Sequence, residues 1–206
     1  MKQIFFNIKR SWISLSFLGI IVLVLGGCQA EEPIKEDTPE LITRVTLTFV
    51  PTGGGTPITA TASDPDGEGV QNIAVDGSIN LAAGVSYTLS LSLINELAEK
   101  SSPEYDITAE VEKEGGEHMF FYGWTGNVFS DPTGDGNIDN RAGVVNYQDE
   151  DAGGLPIGIT TKWTAGAASS GTFRMVLKHQ PELKTTTSSV DTGETDLDIE
   201  FEIIVN

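Results

Sequence analysis

One cysteine and two histidines stand among 206 residues. A lone cysteine excludes an internal disulfide framework and any zinc cluster built on cysteine. Basic residues are scarce as well. Twelve Lys and Arg face 30 Asp and Glu, a formal net charge of −18. That sign excludes nucleic acid as a partner, because phosphate backbones are held by clustered Lys and Arg. Also missing are a Gly-x-Ser-x-Gly elbow, a His-Glu-x-x-His pair and any βαβ alternation. Carboxylates are so numerous that some pair must fall at glycosidase-like separation by chance, so their abundance carries no catalytic information. The chain reads as a non-enzyme.

What is present begins with an address. Lys2, Lys9 and Arg10 precede an uncharged apolar run, Trp12 to Leu25, and Gly26 and Gly27 then lead to Cys28. A basic start, a short apolar run and a small-residue site form a secretory signal. The run is shorter than the roughly 20 residues of a membrane span and includes Ser14 and Ser16. Leu25-Gly26-Gly27-Cys28 resembles the lipobox of bacterial lipoproteins, in which the bond before the cysteine is cut and the cysteine is acylated. Residues 1–27 are thus expected to be a signal peptide and Cys28 a lipid anchor, giving the protein a membrane partner through its N-terminus. The remaining chain carries nine basic and 30 acidic residues. So acidic a body gains nothing from an anionic surface, and stable attachment needs more than one acyl chain. Residues 28–40, rich in Glu, Asp, Pro and Lys, cannot bury a core and read as an acidic tether. Gln29-Ala30-Glu31-Glu32 resembles the acidic export signal of surface lipoproteins in Bacteroidetes-type bacteria, which implies the outer membrane and its outward face.

From Leu41 onward the apolar residues alternate with polar ones. Val45, Leu47 and Phe49 form one such set, and Val85, Tyr87, Leu89, Leu91 and Leu93 another. Tyr105, Ile107, Ala109 and Val111 make a third, and Leu197, Ile199, Phe201, Ile203 and Val205 a fourth. Period two with one wet face predicts antiparallel strands. Weaker strand candidates are 56–62, 73–81, 157–164 and 172–179. Pro51 to Gly55 is expected to turn one hairpin and Asp76-Gly77 another. Only Asn95–Lys100 reads as helix. The expected fold is all-β, an antiparallel sandwich of immunoglobulin-like type formed by 41–206 as a single domain, with a long acidic loop near 125–156.

Thr56–Gly69, Glu117–Gly126 and Gly171–Pro181 resemble a group of small flavobacterial lipoproteins. The resemblance covers nearly all of 41–206. Members of that group are sometimes labelled as type 1 periplasmic-binding folds, which alternate strands and helices, whereas this sequence has almost no helical periodicity. They often accompany outer-membrane TonB-dependent transporters, so the resemblance implies an outer-membrane transporter as partner.

Two segments carry candidate chemistry. In Asp131–Ala142, Asp131, Thr133 and Asp135 supply oxygens at positions one, three and five of a calcium loop. Gly136 makes the sharp turn, Asn137 offers a carbonyl, Ile138 packs inward and Asp139 holds position nine. Ala142 replaces the closing glutamate, and Asp149, Glu150 or Asp151 would have to fold back to replace it. The same spacing suits an Asx-rich turn without metal, and Asp64–Glu68 is a second, shorter calcium candidate for which the turn is the preferred reading. In Glu117–Trp124, His118, Phe120, Tyr122 and Trp124 share one strand face and Met119 and Phe121 the other. A strand apolar on both faces is expected in the middle of a sandwich. His118, Tyr122 and Trp124 either belong to the core or form a platform for a sugar or planar ligand. A metal on His118 would need partners, and His179 is the only other histidine.

These features lead to a lipid-anchored envelope protein that binds a ligand or assists an uptake system, with a calcium-stabilised surface module and a carbohydrate-acting enzyme as alternatives. Cys28→Ala is expected to leave the precursor uncut or to shift the protein out of the membrane fraction, and mass spectrometry of the mature N-terminus checks it. A mature chain that starts beyond Cys28 without an acyl group would refute the anchor.

Overall fold

Among the described residues the alternation seen in the sequence becomes ten strands. They are β1 (Arg44–Pro51), β2 (Ile58–Ser63), β3 (Ala74–Asp76), β4 (Ile79–Leu81), β5 (Ser86–Ile94), β6 (His118–Trp124), β7 (Phe129–Asp131), β8 (Thr160–Ala165), β9 (Ser169–His179) and β10 (Glu194–Val205). The computed structural model describes residues 40–67 and 73–206. The signal segment, the lipobox with Cys28, the tether up to residue 39, and Glu68 lie outside the described residues. Two sheets form, a six-stranded one in the order β3-β2-β1-β5-β8-β7 and a four-stranded one in the order β4-β10-β9-β6. The fold is an all-β sandwich.

The inward parity is the apolar one. Val45, Leu47 and Phe49 of β1 and Leu89 and Leu93 of β5 are fully buried, as are Phe173 of β9 and Phe201 of β10. Trp163 of β8 ties the two sheets together. It lies edge-on to Trp124 (5.2 Å between centroids) and to Phe173 (5.2 Å), and is also T-shaped to Tyr122 (5.6 Å). Its indole N–H donates to Thr161 Oγ1 at 2.7 Å, so its burial leaves no polar atom stranded.

Four expectations need correction. The alternating stretch 105–111 is not a strand. Pro103–Tyr105 is a 3₁₀ turn, followed by helix α1 (Ile107–Lys113). The Asp106 carboxylate caps α1 by accepting from Ala109 N–H at 3.1 Å. Ile107 and Val111 are buried while Ala109 is exposed, a spacing of four that period two imitates. Asn95–Lys100 is not a helix. Asn95 Oδ1 takes the Leu97 N–H at 3.0 Å and Thr43 Oγ1 takes the Glu96 N–H at 2.7 Å, which makes an Asx turn instead. Asp76-Gly77 does not close a hairpin, because β3 and β4 belong to different sheets. The turn carries the chain across the sandwich, and β4 then pairs in parallel with β10, Ile79 opposite Ile203. Finally, β6 is apolar on both faces yet lies at the edge of its sheet.

That edge explains the long segment after β7. Three outward N–H groups of β6 are taken by it. Phe120 N donates to Ile157 O (2.7 Å), Tyr122 N to Asn137 Oδ1 (2.9 Å) and Trp124 N to Asp135 O (3.0 Å). The carbonyls of Phe120 and Tyr122 accept from Tyr147 OH (2.6 Å) and Asn137 N (2.8 Å). On the outer face, Ile138 packs with Met119, Phe121 and Val176 in a second small apolar cluster. The loop therefore acts as the missing neighbour strand and covers an edge that would otherwise be open to another chain.

Two carboxylates hold the loop to itself. Asp149 accepts from the N–H groups of Gly158 (2.8 Å) and Thr160 (2.9 Å). Asp151 Oδ1 accepts from those of Gly153 (2.8 Å) and Leu155 (2.9 Å), and Oδ2 pairs with Lys184 Nζ at 2.8 Å. Both side chains of this pair are nearly inaccessible, and Lys184 Nζ also donates to Gly115 O at 2.5 Å. Burial raises the Asp151 carboxyl, but the Lys184 ammonium and the Leu155 and Gly153 N–H groups outweigh it and hold it below the usual carboxylate range. Its contribution to stability is therefore present above the unfolded pKa of about 3.9 and is lost as pH falls through the lower folded value. Lys184→Met should cost about 3–5 kcal/mol in chemical denaturation, because it strands a buried charge, and a Lys184→Met/Asp151→Asn double variant, which removes the charge but keeps the acceptor for the Gly153 and Leu155 N–H groups, should recover part of that. Asp151→Asn should flatten the loss of stability below about pH 4 relative to the wild type. An unchanged midpoint for Lys184→Met would show that the pair carries no weight.

Candidate functional site

The polar cluster of greatest chemical interest lies where β6, β9 and β10 begin or end. His118 opens β6 and stands directly opposite His179, the last residue of β9, in the antiparallel register. The rings stack at 4.7 Å with 11° between their planes. The only two histidines of the chain, far apart in sequence, are thus neighbours. Their proximity could not be read from spacing, because it depends on which strands pair.

Asp196 enters the same place through an irregularity. The β9–β10 register shifts between Thr195 and Leu197, and this bulge leaves Asp196 and Leu197 both buried in succession. A regular strand would send one of the two outward. Asp196 Oδ2 lies 3.6 Å from His118 Nε2, and Oδ1 accepts from Glu40 N at 3.4 Å. Glu40 Oε1 is 4.0 Å from the same imidazole nitrogen. Glu114 closes the group from the C-terminal end of α1, where its carbonyl lies 3.2 Å from His118 Nδ1. Burial pushes the Asp196 carboxyl up to about 7, against the lowering pull of His179 and of the Glu40 N–H. His179 turns toward the more exposed Glu117, whose carboxylate is 3.5 Å from its Nε2. Glu40, Glu114 and Asp196 were not singled out in the sequence. The missed signal was the Asp106 cap that converts 107–113 to helix and thereby delivers Glu114.

The other residues named in the sequence are dispersed. Tyr122 and Trp124 share the parity of His118 but lie in the interior. Tyr122 OH donates to Gly158 O at 2.5 Å, and Trp124 packs on Phe129 and Trp163. Tyr122 is wholly core, and Trp124 is buried with only its edge lining a cleft beside Thr172 and Arg174, so the two rings and His118 do not form one shared platform. In the calcium-loop segment, Gly136 adopts φ +96°, and a Cβ there would meet Tyr122 O at 2.0 Å. Ile138 packs inward as expected. Asp131, Thr133, Asp135 and Asp139 are exposed, and the carboxylates among them do not form a group of converging ligand atoms. Asp131 Oδ1 instead accepts from Asn146 Nδ2 at 3.1 Å. Asn137 is buried, its Oδ1 on Tyr122 N–H and its Nδ2 donating to Tyr147 OH at 2.9 Å. Asp149 and Asp151, expected to lend a closing carboxylate, are occupied by backbone N–H groups and Lys184. Asp64 accepts from Gly67 N–H at 3.1 Å, which makes 64–67 an Asx turn.

Open clefts flank this loop, two of them beside the calcium-loop segment. One, of about 820 Å³, is lined by Asp131, Asn146, Gln148, Asp149, Glu150 and Lys162 among others. The second, about 390 Å³, includes Asp135, Asp139, Thr172, Arg174 and Glu200. Arg174 there is held by both Asp198 oxygens, at 2.8 and 2.6 Å.

Asn137 is thus the polar clamp of the loop. Asn137→Ala should cost about 1–3 kcal/mol, the penalty for leaving the buried Tyr122 N–H without an acceptor, while the Tyr147 hydroxyl loses one of its two bonds. It should also speed proteolytic cleavage within 131–142, equally with and without millimolar Ca²⁺. Protection of the variant by Ca²⁺ would show that an ion, not the amide, orders the segment.

No family model matches the chain, and neither the curated proteins nor the solved structures give a match.

Proposed function

We propose that the chain is a lipid-anchored cell-envelope binding or accessory protein, held at the outer membrane by acylated Cys28 and serving an uptake transporter there, without catalytic activity of its own. The observation that carries this is Leu25–Cys28, a lipobox-like sequence placed directly after a short apolar run and containing the only cysteine. The sandwich, immunoglobulin-like on this reading, supplies a rigid acidic body. Its clefts are open and lined by carboxylates and amides, which suits a polar or cationic partner better than an apolar small molecule.

A calcium-stabilised surface interaction module is the second reading. It is favoured by Gly136 and Ile138, which occupy the turn and inward positions that a calcium loop requires.

The test is isolation of the natively lipidated protein from outer membrane, with identification of what co-purifies. Enrichment of an outer-membrane transporter, lost in Cys28→Ala, is the expected result. Recovery from the soluble fraction, or from outer membrane with no transporter, would overturn the first reading. Retention of a protein partner that chelation of Ca²⁺ releases would favour the second.

A further inference from the structure

We propose that Glu40, Glu114 and His118, with Asp196 beside them, bind one divalent transition-metal ion of the zinc class. Glu40, Glu114 and His118 each offer a ligand atom, and these atoms lie within 4.8 Å of one another, the one such group among the described residues. Ligands on a tetrahedral zinc with bonds of 2.0–2.2 Å sit about 3.4 Å apart. Small movements of two glutamate side chains close that difference. The site is built rather than superficial, since the His118 side chain is inaccessible and that of Glu40 nearly so.

Three further features point to a cation. The His118 Nδ1 lies at hydrogen-bond distance from the Glu114 carbonyl, which makes Nδ1 an N–H donor and turns Nε2 toward the carboxylates of Glu40 and Asp196. Metal-bound histidines are oriented in this way, with the distal nitrogen donating to a backbone carbonyl. Next, Nε2 is 3.6 Å from Asp196 Oδ2 and 4.0 Å from Glu40 Oε1, both beyond hydrogen-bond range but near the edge length of a coordination polyhedron. Lastly, Asp196 is 2% exposed and its Oδ2 has no hydrogen-bond partner, although it points at this group.

The donor set decides the kind of ion. An imidazole nitrogen with carboxylates suits Zn²⁺ and its neighbours, whereas Ca²⁺ and Mg²⁺ prefer oxygen alone. His179 is not a ligand. Its ring is stacked almost parallel to His118, so the in-plane lone pairs run side by side and do not meet. It supports the orientation of His118 instead. Bound there, the ion would join residue 40, at the root of the tether, to the end of α1, to β6 and to β10. This goes beyond the proposed envelope role and stands whether or not a transporter is the partner.

The test uses the purified full-length mature chain, stripped with a chelator and titrated with Co²⁺ or Zn²⁺ alone. One equivalent of Co²⁺ with visible ligand-field bands is expected, displaced by Zn²⁺ and not by Ca²⁺. The near-isosteric Glu40→Gln and Glu114→Gln should each weaken Co²⁺ binding more than about tenfold while leaving the unfolding midpoint of the metal-free chain unchanged. Asp135→Asn in the calcium-loop segment should leave it unchanged. Absence of Co²⁺ and Zn²⁺ uptake, uptake undiminished in both glutamine variants, or Ca²⁺ bound as tightly as Zn²⁺ would each overturn the assignment.

Discussion

The free edge of β6 is the constraint around which much of this molecule is arranged. A strand with apolar residues on both faces and one unpaired row of N–H groups cannot be left facing water or another chain. The segment after β7 supplies what is missing, with backbone carbonyls from Asp135 and Ile157 and a side-chain amide from Asn137. Ile138 covers the outer apolar face of the same strand. Once this loop is committed to the edge, Asp149 and Asp151 follow as the acceptors that shape it. The acidity of the chain is therefore partly architectural. Several of its carboxylates serve as substitutes for backbone acceptors, at Asp64, Asp106, Asp149 and Asp151, rather than as a diffuse surface charge.

Sequence periodicity was a sound guide wherever burial decided the structure. The inward sets of β1, β5 and β10 are the ones that alternation picks out, because a sandwich buries one parity and wets the other. It failed where two periods coincide. Ile107 and Val111 are four apart, a distance common to a strand face and a helix face, and only Asp106 and Pro103 favoured the helix. Asp76-Gly77 has the chemistry of a tight turn, and it does turn the chain. What local chemistry does not reveal is whether the next strand stays in the same sheet.

The site was legible only in part, and for a related reason. His118 stands out in sequence as a polar residue in an aromatic run. Its neighbours come from residue 40, from the end of α1, from β9 and from a bulge in β10, none of which adjacency along the chain can indicate. In the calcium-loop segment, the small and polar residues whose spacing matches a metal loop also press a turn against the backbone of β6. Gly136 approaches Tyr122 O too closely for any side chain, and its φ of +96° is open to glycine alone at little cost.

The parallel pairing of β4 with β10 has a consequence for how the protein is made. Ile79 must find Ile203, and β9 must find β10, so the smaller sheet lacks one of its two internal strands until the chain has been synthesised almost to Val205. Contacts of such large sequence separation form slowly, since loop closure must precede any gain from pairing. The hairpin of β1 and β2, together with β5, can assemble earlier from nearby segments. During that interval the larger sheet lacks the β4 and β10 part of its opposing layer, and the apolar face of β5 stays partly open until the last described strand arrives.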